Sequence, residues 1–294
     1  MTRAVTALQR RILRADWLRR MVRFLFRYRG LRILGHGVRR LASRDEWALI
    51  QDFDGDLKFH CHLGEHIGSQ MYWRDSYSWD QLKVLDTFLG SESVFFDIGA
   101  NQGEFTLFAA KRLTQGTVYA FEPTSEMFAR LSRNVEENGF ENVRLIQAGL
   151  WSESETKPIF TNRSRFSDGS RHEGLGTLFR TEERDSVVEV IRLTTLDSLA
   201  RDEKLTRLDA MKLDVEGAEH EVIRGGLSTM ERFRPVLLIE VSRLCLEAAG
   251  TSDAALLDLL SRWYRFELVR KDGRSTPIRA DHLGAYQNIL CLPK

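Results

Sequence analysis

The sequence predicts an α/β fold built on a doubly wound, mostly parallel sheet with an antiparallel last strand. From residue 94 onward, short apolar segments alternate with helical segments of about ten to fourteen residues, as in βαβ units. The first apolar segment runs into a glycine-containing turn and a helix, and two apolar segments close the chain around a turn-rich stretch. We therefore expect a sheet of about seven strands.

The expected elements follow one another in a regular order. Upstream of residue 94, the pattern predicts a strand near 56–62 and a helix at 79–89. Gly139 follows a helical segment at the position where helices commonly end. The later strands are expected at 94–98, 117–121, 143–147, 210–213, 236–241, 266–269 and 287–292, and the helices at 104–113, 125–138, 218–230 and 253–263.

The charge of the chain is divided unevenly. The 294 residues are 43% hydrophobic and 29% charged, which is enough apolar material for a sizeable core, and the net charge is +1. Residues 1–44 hold 13 arginines and one acid, Asp16, a net charge of +12, so residues 45–294 carry −11. We expect a basic arm at 1–44 and a catalytic domain at 45–294. The near-neutral total predicts no nucleic-acid partner.

The arm has the pattern of a basic amphipathic helix. Such a helix can lie on an anionic membrane, dock on the domain or on a partner chain, or act as an organellar presequence, and the sequence leaves these three open. The apolar residues recur at steps of three and four: Val5, Leu8, Ile12, Ala15, Leu18, Val22 and Leu25.

The remaining composition favours a cytoplasmic protein, with peripheral contact at the inner face of the membrane as an option. No stretch approaches the roughly 18 to 20 uncharged apolar residues that a membrane span needs, and the start lacks a secretory pattern. The three cysteines Cys61, Cys245 and Cys291 are odd in number and widely spaced, which indicates a reducing compartment rather than a disulfide framework.

The turn after the first strand of the alternating region is the best candidate for a ligand site, because open α/β sheets bind ligands at the carboxyl ends of strands. A dinucleotide fingerprint would need glycine at 99, 101 and 104, but the chain has Gly99, Asn101 and Glu104. An acid in the first helical turn repels a pyrophosphate. A cationic ligand without phosphate, such as S-adenosylmethionine, fits these residues better.

We expect three groups of residues to hold this ligand. Asp97 and the turn backbone are expected to face its amino-acid part, and Glu122 is expected to accept hydrogen bonds from both ribose hydroxyls. The loop after the third strand would lie beside the adenine. The candidate cofactor-binding residues are Asp97, Gly99, Asn101, Gly103, Glu122, Gln147 and Ala148.

Four motifs resemble the FkbM family of S-adenosylmethionine-dependent methyltransferases in order and spacing. They lie at 96–103, 120–123, 195–199 and 212–219, and the last contains the most specific stretch, Asp-Val-Glu-Gly-Ala-Glu. The resemblance covers roughly residues 64–294 and leaves 1–44 outside. It implies a Rossmann-like class I methyltransferase fold and methyl transfer to oxygen, often a hydroxyl of a sugar or of a polyketide-type product.

Carboxylates after the fourth and fifth strands are the candidate catalytic groups. Asp214 is the first candidate for the base that removes the hydroxyl proton, Glu216 is the second, and Glu240 is near enough in this topology to contribute. Asp214 and Glu240 could instead hold a divalent cation, an alternative that we do not favour. Glu216 also has a structural alternative as a cap of the following helix, and Asp197 is interpreted as a helix cap.

Other conspicuous residues carry weaker hypotheses. The segment with His60, Cys61, His62 and His66 lacks a second ligand pair, so we expect ordinary histidines rather than a metal site. The aromatic residues Tyr72, Trp73, Tyr77 and Trp79 would line an acceptor pocket or belong to the core. The insert 151–195 is expected to form a hairpin over the acceptor side, or else a solvated loop; its basic residues include Arg163, Arg165, Arg171, His172 and Arg180.

Together these observations predict an S-adenosylmethionine-dependent O-methyltransferase. The expected acceptor is a hydroxyl, preferably on a sugar in a glycan, a glycolipid or a small natural product. The alternative is a non-catalytic scaffold with the cofactor fold, targeted by its basic N-terminal helix.

Overall fold

A computed structural model describes residues 16–27, 46–161, 176–182, 184–278 and 283–294. These residues belong to two compact units, one extending to Tyr77 and the other from Ser78 onward. The predicted boundary near residue 44 lies outside the described residues. In the described part of the chain, no helix combines the length and the apolar character needed to cross a membrane.

In the part of the first unit that the structure describes, there are an antiparallel hairpin and two helices. Its elements are α1 (Asp16–Arg27), β1 (Trp47–Phe53), β2 (Leu57–His62) and α2 (His66–Arg74). The strand predicted near 56–62 is confirmed as β2, and its partner β1 was not predicted. The hairpin buries Ile50, Phe53 and Phe59, and Trp73 of α2 is buried as well.

Helix α1 turns arginines toward the interior of its unit. Arg19 is 3% exposed and forms an ion pair with Asp52, and Val22 beside it is fully buried. Arg23 forms ion pairs with Asp52, at 2.9 Å, and with Asp75. Burial, together with the charge of Arg19, lowers the pKa of Arg23 to about 10. The inward face of this segment is therefore partly ionic.

The second unit contains eleven described strands and eight described helices. The strands are β3 (Val94–Ile98), β4 (Thr117–Phe121), β5 (Val143–Ile146), β6 (Gly149–Leu150), β7 (Glu155–Thr161), β8 (Ser186–Thr194), β9 (Ala210–Leu213), β10 (Val236–Ser242), β11 (Tyr264–Val269), β12 (Ser275–Pro277) and β13 (Tyr286–Pro293). The helices are α3 (Trp79–Asp86), α4 (Glu104–Arg112), α5 (Ser125–Glu137), α6 (Leu196–Asp202), α7 (Glu219–Arg224), α8 (Leu227–Phe233), α9 (Arg243–Ala248) and α10 (Asp253–Ser261).

The main sheet confirms the predicted doubly wound arrangement. Its strand order is β12-β11-β13-β10-β9-β3-β4-β5. The neighbours from β10 to β5 are parallel, and β13 runs antiparallel between β10 and β11. The expected seven strands are joined by an eighth, the three-residue β12, which the turn-rich stretch after β11 contributes. Strand β9 is buried throughout, as expected for a parallel strand covered on both faces.

The predicted helix at 218–230 is two helices, α7 and α8, separated by Gly225 and Gly226. A Cβ atom on Gly225 would lie 2.0 Å from the Trp151 carbonyl oxygen, so only glycine fits at this close approach. The sequence predicted a single helix because the apolar spacing continues across the glycine pair.

Asp197 caps a helix other than its own. Its carboxylate accepts hydrogen bonds from the backbone N–H groups of Ser228, at 3.1 Å, and Thr229, at 2.8 Å, in the first turn of α8. Burial opposes ionisation here, but these hydrogen bonds lower the pKa of Asp197. Helix α6, which contains Asp197, is capped by Thr195. The interpretation of Asp197 as a helix cap is therefore right about its role and wrong about the helix, because Thr195 caps the helix that begins beside Asp197.

The insert at 151–195 forms a separate three-stranded sheet with β6. Strand β8 pairs antiparallel with β7 and parallel with β6, where Gly149 lies opposite Leu193 and Leu150 opposite Thr194. The alternating segment of the insert is thus confirmed as β8. Of its basic residues, Arg180 is exposed, and the other four named above lie outside the described residues.

Candidate active site

The glycine turn after β3 has the backbone geometry that its sequence predicts. Gly99 has a φ of +79°, and a Cβ atom there would lie 1.9 Å from the Asp214 carbonyl oxygen. Asn101 adopts a φ of +52°, a left-handed conformation that asparagine tolerates better than most residues. Gly103, with a φ of +99°, precedes α4. Gly99 and Ala100 donate backbone hydrogen bonds to the Phe121 carbonyl oxygen, which ties the turn to β4.

Glu122 lies beside this turn, as the sequence predicted. Its Oε2 accepts a 3.0 Å hydrogen bond from the Asn101 backbone, and its Oε1 accepts hydrogen bonds from the backbone and hydroxyl of Thr124. Burial raises the pKa of Glu122 against the effect of these donors. Because Oε2 accepts one bond from the protein, it keeps a lone pair with which a ligand hydroxyl can interact.

Asp97 is fully buried at the carboxyl end of β3, and one of its oxygens accepts no hydrogen bond from the described residues. Its Oδ2 accepts a 2.6 Å hydrogen bond from the Thr106 hydroxyl, whereas Oδ1 has no hydrogen-bond partner among the described residues. Burial raises the pKa of Asp97 although Lys212 and Thr106 oppose the shift. An unsatisfied buried oxygen is costly, and an ammonium group of a ligand would satisfy it. These residues therefore fit the amino-acid part of S-adenosylmethionine.

Lys212 connects this turn to the carboxylates that follow β9. Its ammonium donates a 2.7 Å hydrogen bond to the Gly99 carbonyl oxygen, and it lies 3.4 Å from Asp214 Oδ2 and 3.7 Å from Asp97 Oδ1. Burial alone would lower the pKa of Lys212, but the charges of Asp214 and Asp97 outweigh burial and raise it. In the sequence, Lys212 stands out only as part of the motif at 212–219. The missed signal is a lysine in an otherwise apolar strand, which needs charged partners.

The three candidate catalytic acids come together at the carboxyl ends of β9 and β10. One oxygen from each of Asp214, Glu216 and Glu240 lies within 4.8 Å of the others. Glu216 has a φ of +52° in the turn after β9, and its carbonyl oxygen accepts a 2.8 Å hydrogen bond from the Thr177 hydroxyl. The adjacent Gly217 has no room for a Cβ atom, which would lie 2.6 Å from the Cys245 carbonyl oxygen.

Glu216 does not cap the following helix, which corrects the structural alternative for this residue. Its Oε2 lies 3.0 Å from an Arg184 guanidinium nitrogen and accepts a 3.4 Å hydrogen bond from the Cys245 thiol. The Glu219 carboxylate stabilises this turn instead, because it accepts hydrogen bonds from the backbone N–H groups of Val215 and Gly217. Burial raises the pKa of Glu219 to about 7.

The ionisation of Glu240 is strongly shifted by its surroundings. Burial, reinforced by the negative charge of Asp214, raises the pKa of Glu240 to about 9. Its Oε2 accepts a 2.6 Å hydrogen bond from the Tyr286 hydroxyl. Asp214 and Glu216 each have a cationic partner, Lys212 and Arg184. We therefore assign no metal to the three acids.

The remaining predicted residues occupy varied positions. Gln147 and Ala148 follow β5 at the same edge of the sheet; the Gln147 amide donates to the Ser125 hydroxyl, and Ala148 is fully buried. Their contact with a ligand stays a prediction. Tyr72 and Trp73 are buried within the first unit with ring centroids 4.8 Å apart, which favours the core interpretation for both.

The histidine segment does not form a metal site among the described residues. Among those residues, one group of at least three His, Cys, Asp or Glu side chains has ligand atoms close enough to share a cation. That group is Asp214, Glu216 and Glu240. His62 Nδ1 instead accepts a 3.2 Å hydrogen bond from the Gly64 backbone and lies 3.7 Å from Glu65.

Replacing the central lysine tests its role in the site. Lys212→Met keeps the length of the side chain but leaves buried Asp97 and nearby Asp214 without their shared cation. We expect a loss of about 3–5 kcal/mol in the free energy of unfolding, measured by urea titration. The control Lys271→Met removes an exposed lysine and should change stability by less than about 0.5 kcal/mol. Equal effects of the two substitutions would contradict this role.

Comparison with known proteins identifies the family. The sequence matches the family model of the methyltransferase FkbM domain over residues 97–267. It is 31% identical over 150 residues to Methyltransferase 1 of Beauveria bassiana (46% of this chain, 58% of that protein) and 32% identical over 161 residues to methyltransferase sdnD of Sordaria araneosa (47% and 61%). The chain thus spans about three fifths of the length of these curated relatives.

Among solved structures, the chain is similar to a methyltransferase FkbM from Methylobacillus flagellatus KT. The match covers 69% of this chain and 44% of the solved chain, with 14% sequence identity and a TM-score of 0.43. Because the family model matches more than half of the sequence, the chain belongs to the FkbM methyltransferase family.

Proposed function

We propose that this protein is an S-adenosylmethionine-dependent O-methyltransferase acting on a hydroxyl of a sugar-like acceptor. The observation that carries the proposal is the position of Lys212, whose ammonium contacts both the Gly99 carbonyl oxygen and Asp214. The turn suited to the cofactor and the acids suited to proton transfer are therefore direct neighbours. Membership of a methyltransferase family supports the same reaction class.

The residues around the turn have complementary roles in binding the cofactor. Bound S-adenosylmethionine would supply a methyl group activated on a sulfonium. Asp97 Oδ1, which lacks a hydrogen-bond partner among the described residues, would accept from its ammonium group, and Glu122 Oε2, which accepts one bond from the Asn101 backbone, would accept from a ribose hydroxyl. Gly99, Asn101 and Gly103 allow the backbone to approach closely, and Gln147 and Ala148 border the adenine side.

Asp214 is the base that this arrangement favours. Glu240, with a pKa of about 9, keeps its proton near neutral pH and so does not accept another. Glu216 is held by Arg184 and Cys245. Asp214 is left to take the proton of the acceptor hydroxyl, while Glu216 and Glu240 define the space and the charge around it. A well-oriented acceptor and a base of this kind are what transfer from an activated methyl group requires.

The charge of the cluster limits the acceptor. Near neutral pH Glu240 keeps its proton, so three carboxylates, Asp97, Asp214 and Glu216, face two cations, Lys212 and Arg184. The excess of negative charge favours a cationic cofactor and disfavours an acceptor with a phosphate or carboxylate near its reacting hydroxyl. A neutral polyol, above all a sugar in a glycan, a glycolipid or a small natural product, suits this surface.

Removing the base separates binding from chemistry. In Asp214→Asn we expect S-adenosylmethionine to bind within about threefold of the wild-type affinity, measured by calorimetry. Methyl transfer should fall by about 10²- to 10⁴-fold, since a general base contributes that much. Transfer is followed with isotopically labelled cofactor and separated glycan, lipid and small-molecule extracts.

The matched control is Asp258→Asn, which removes an exposed acid from α10 and should leave both quantities unchanged. Full turnover in Asp214→Asn would contradict the assignment of the base. Label appearing in protein or RNA rather than in these fractions would contradict the acceptor class.

The ionisation of Glu240 gives the cofactor affinity a defined pH dependence. The Glu240 carboxyl gains negative charge as the pH rises through about 9, so binding of the sulfonium should tighten, by about tenfold, over that range. The measurement is the ratio of the dissociation constants of wild type and Glu240→Gln from pH 7 to 10. Titration of the ligand itself cancels in this ratio.

S-adenosylhomocysteine, which lacks the sulfonium charge, serves as the control ligand. Its ratio should change much less over the same pH range. A constant ratio for S-adenosylmethionine would mean that Glu240 does not titrate near the cofactor.

We further propose peripheral contact of the N-terminal arm with an anionic membrane. In α1 the inward residues include Arg19 and Val22, whereas Met21 and Phe24 are exposed by 40% and 54%. Large exposed apolar side chains next to a strongly basic segment suit the boundary between lipid headgroups and acyl chains.

The exposed apolar residues of α1 provide the test of this contact. Met21→Ser combined with Phe24→Ser should reduce sedimentation of the full chain with vesicles of equal parts phosphatidylcholine and phosphatidylserine. Val188→Ser with Val190→Ser, which removes exposed apolar surface from β8, should not. Equal sedimentation of wild type and the α1 variant would contradict membrane contact through this helix.

A further inference from the structure

A tyrosine outside the predicted site residues lies beside the acid cluster. The Tyr286 hydroxyl donates a 2.6 Å hydrogen bond to Glu240 Oε2. Glu240 pairs directly with Asn288 in the antiparallel β10–β13 ladder, so Tyr286, two residues earlier in β13, is its diagonal neighbour on the same face. Aromatic side chains span this diagonal distance. The register of the sheet therefore holds Tyr286 against Glu240.

The Tyr286 side chain is largely exposed, and its hydroxyl contacts a half-buried acid. Tyr286 is 57% exposed, and Leu244 at the start of α9 is 77% exposed. The two residues lie on neighbouring segments, because the Arg243 backbone donates a 2.9 Å hydrogen bond to the Ala285 carbonyl oxygen. Apolar surface next to a few convergent polar groups is typical of a small-molecule site.

Besides the uncharged Tyr286 hydroxyl, three charged side chains of the described residues lie near Glu240. Lys212 approaches from β9, and Asp214 and Glu216 approach from the turn after β9. The negative charges raise the pKa of Glu240, and the Tyr286 hydroxyl and the Lys212 ammonium oppose them. Tyr286 contacts Glu240 from β13. It therefore connects the exposed apolar surface at Tyr286 and Leu244 to the acid cluster.

We propose that Tyr286 forms the acceptor subsite, where its ring supports the carbon face of a neutral, hydroxyl-bearing ring and its hydroxyl holds Glu240. This inference rests on the proposed O-methyl transfer and specifies its acceptor. One face of a sugar or cyclitol ring consists of C–H groups, which pack on an aromatic ring like other apolar surfaces. The acid cluster disfavours anionic versions of the same ring.

Two substitutions separate the ring from the hydroxyl. Tyr286→Phe keeps the ring, and Tyr286→Leu removes both groups. The probes are methyl glycosides of neutral hexoses and deoxyhexoses, and their binding to the full chain with S-adenosylhomocysteine is measured by saturation-transfer NMR. We expect wild-type binding in Tyr286→Phe and a loss of roughly two- to tenfold in Tyr286→Leu.

Phe140→Leu is the matched control for loss of an aromatic ring. Phe140 precedes β5 and so lies at the opposite, amino-terminal edge of the parallel strands, where its loss should not change glycoside binding. Hexose phosphates and uronic acids should bind more weakly than the neutral glycosides in all of these proteins.

The role of the Tyr286 hydroxyl is tested separately, by the pH dependence of S-adenosylmethionine affinity. A purely structural role of the hydroxyl would not change this pH dependence. The pH midpoint of S-adenosylmethionine affinity should rise by about one pH unit in Tyr286→Phe, because the charged form of Glu240 loses a hydrogen-bond donor. Tyr286→Leu should raise the same midpoint.

Three results would overturn the inference: wild-type glycoside binding in Tyr286→Leu, equal binding of neutral and anionic probes, or an unchanged midpoint in Tyr286→Phe. Glycoside binding that depends on Tyr286 but leads to no methyl transfer would support the subsite and contradict the proposed reaction. Methyl transfer to a sugar that Tyr286→Leu leaves unaffected would contradict the subsite alone.

Discussion

One buried ammonium group organises the candidate site. Lys212 is 4% exposed and contacts the carbonyl oxygen of Gly99 and the carboxylates of Asp97 and Asp214. Each of these groups would be costly to bury alone. Asp97 and Gly99 belong to β3 and the turn after it, whereas Lys212 and Asp214 belong to β9 and the turn after it. The lysine therefore sets the distance between the glycine turn and the acids, and that distance gives the site its chemistry.

The other acids are arranged so that their charges do not accumulate. Arg184 is paired with Glu216, Tyr286 donates to Glu240, and burial next to Asp214 keeps a proton on Glu240 near neutral pH. The site thus retains a modest excess of negative charge within a compact space. A cation entering this space changes the protonation of Glu240 as well as filling a position, because the two are thermodynamically linked.

The sequence was sufficient to predict the sheet, the glycine turn and the acid cluster, and insufficient for their supporting contacts. Asp97, Glu122, Asp214 and Glu240 lie at the carboxyl ends of strands whose order a doubly wound topology determines, so their proximity could be inferred. The roles of Arg184 and Tyr286 depend on the path of an insert and on the register of the last strand, which local periodicity does not encode. Asp197 was recognised as a cap, but the helix that it caps is remote in sequence.

The pairing of β6 with β8 has a consequence for how this enzyme scaffold can diversify. Leu150 and Thr194 are direct partners, so the chain leaves the core and returns to it at the same point. A closed excursion of this kind can be lengthened or exchanged at little entropic expense, since closure entropy grows only with the logarithm of loop length. We expect changes in this segment to leave the Lys212 contacts in place, because all of their partners lie outside it, and to alter the surroundings of Glu216, which Arg184 of the segment contacts.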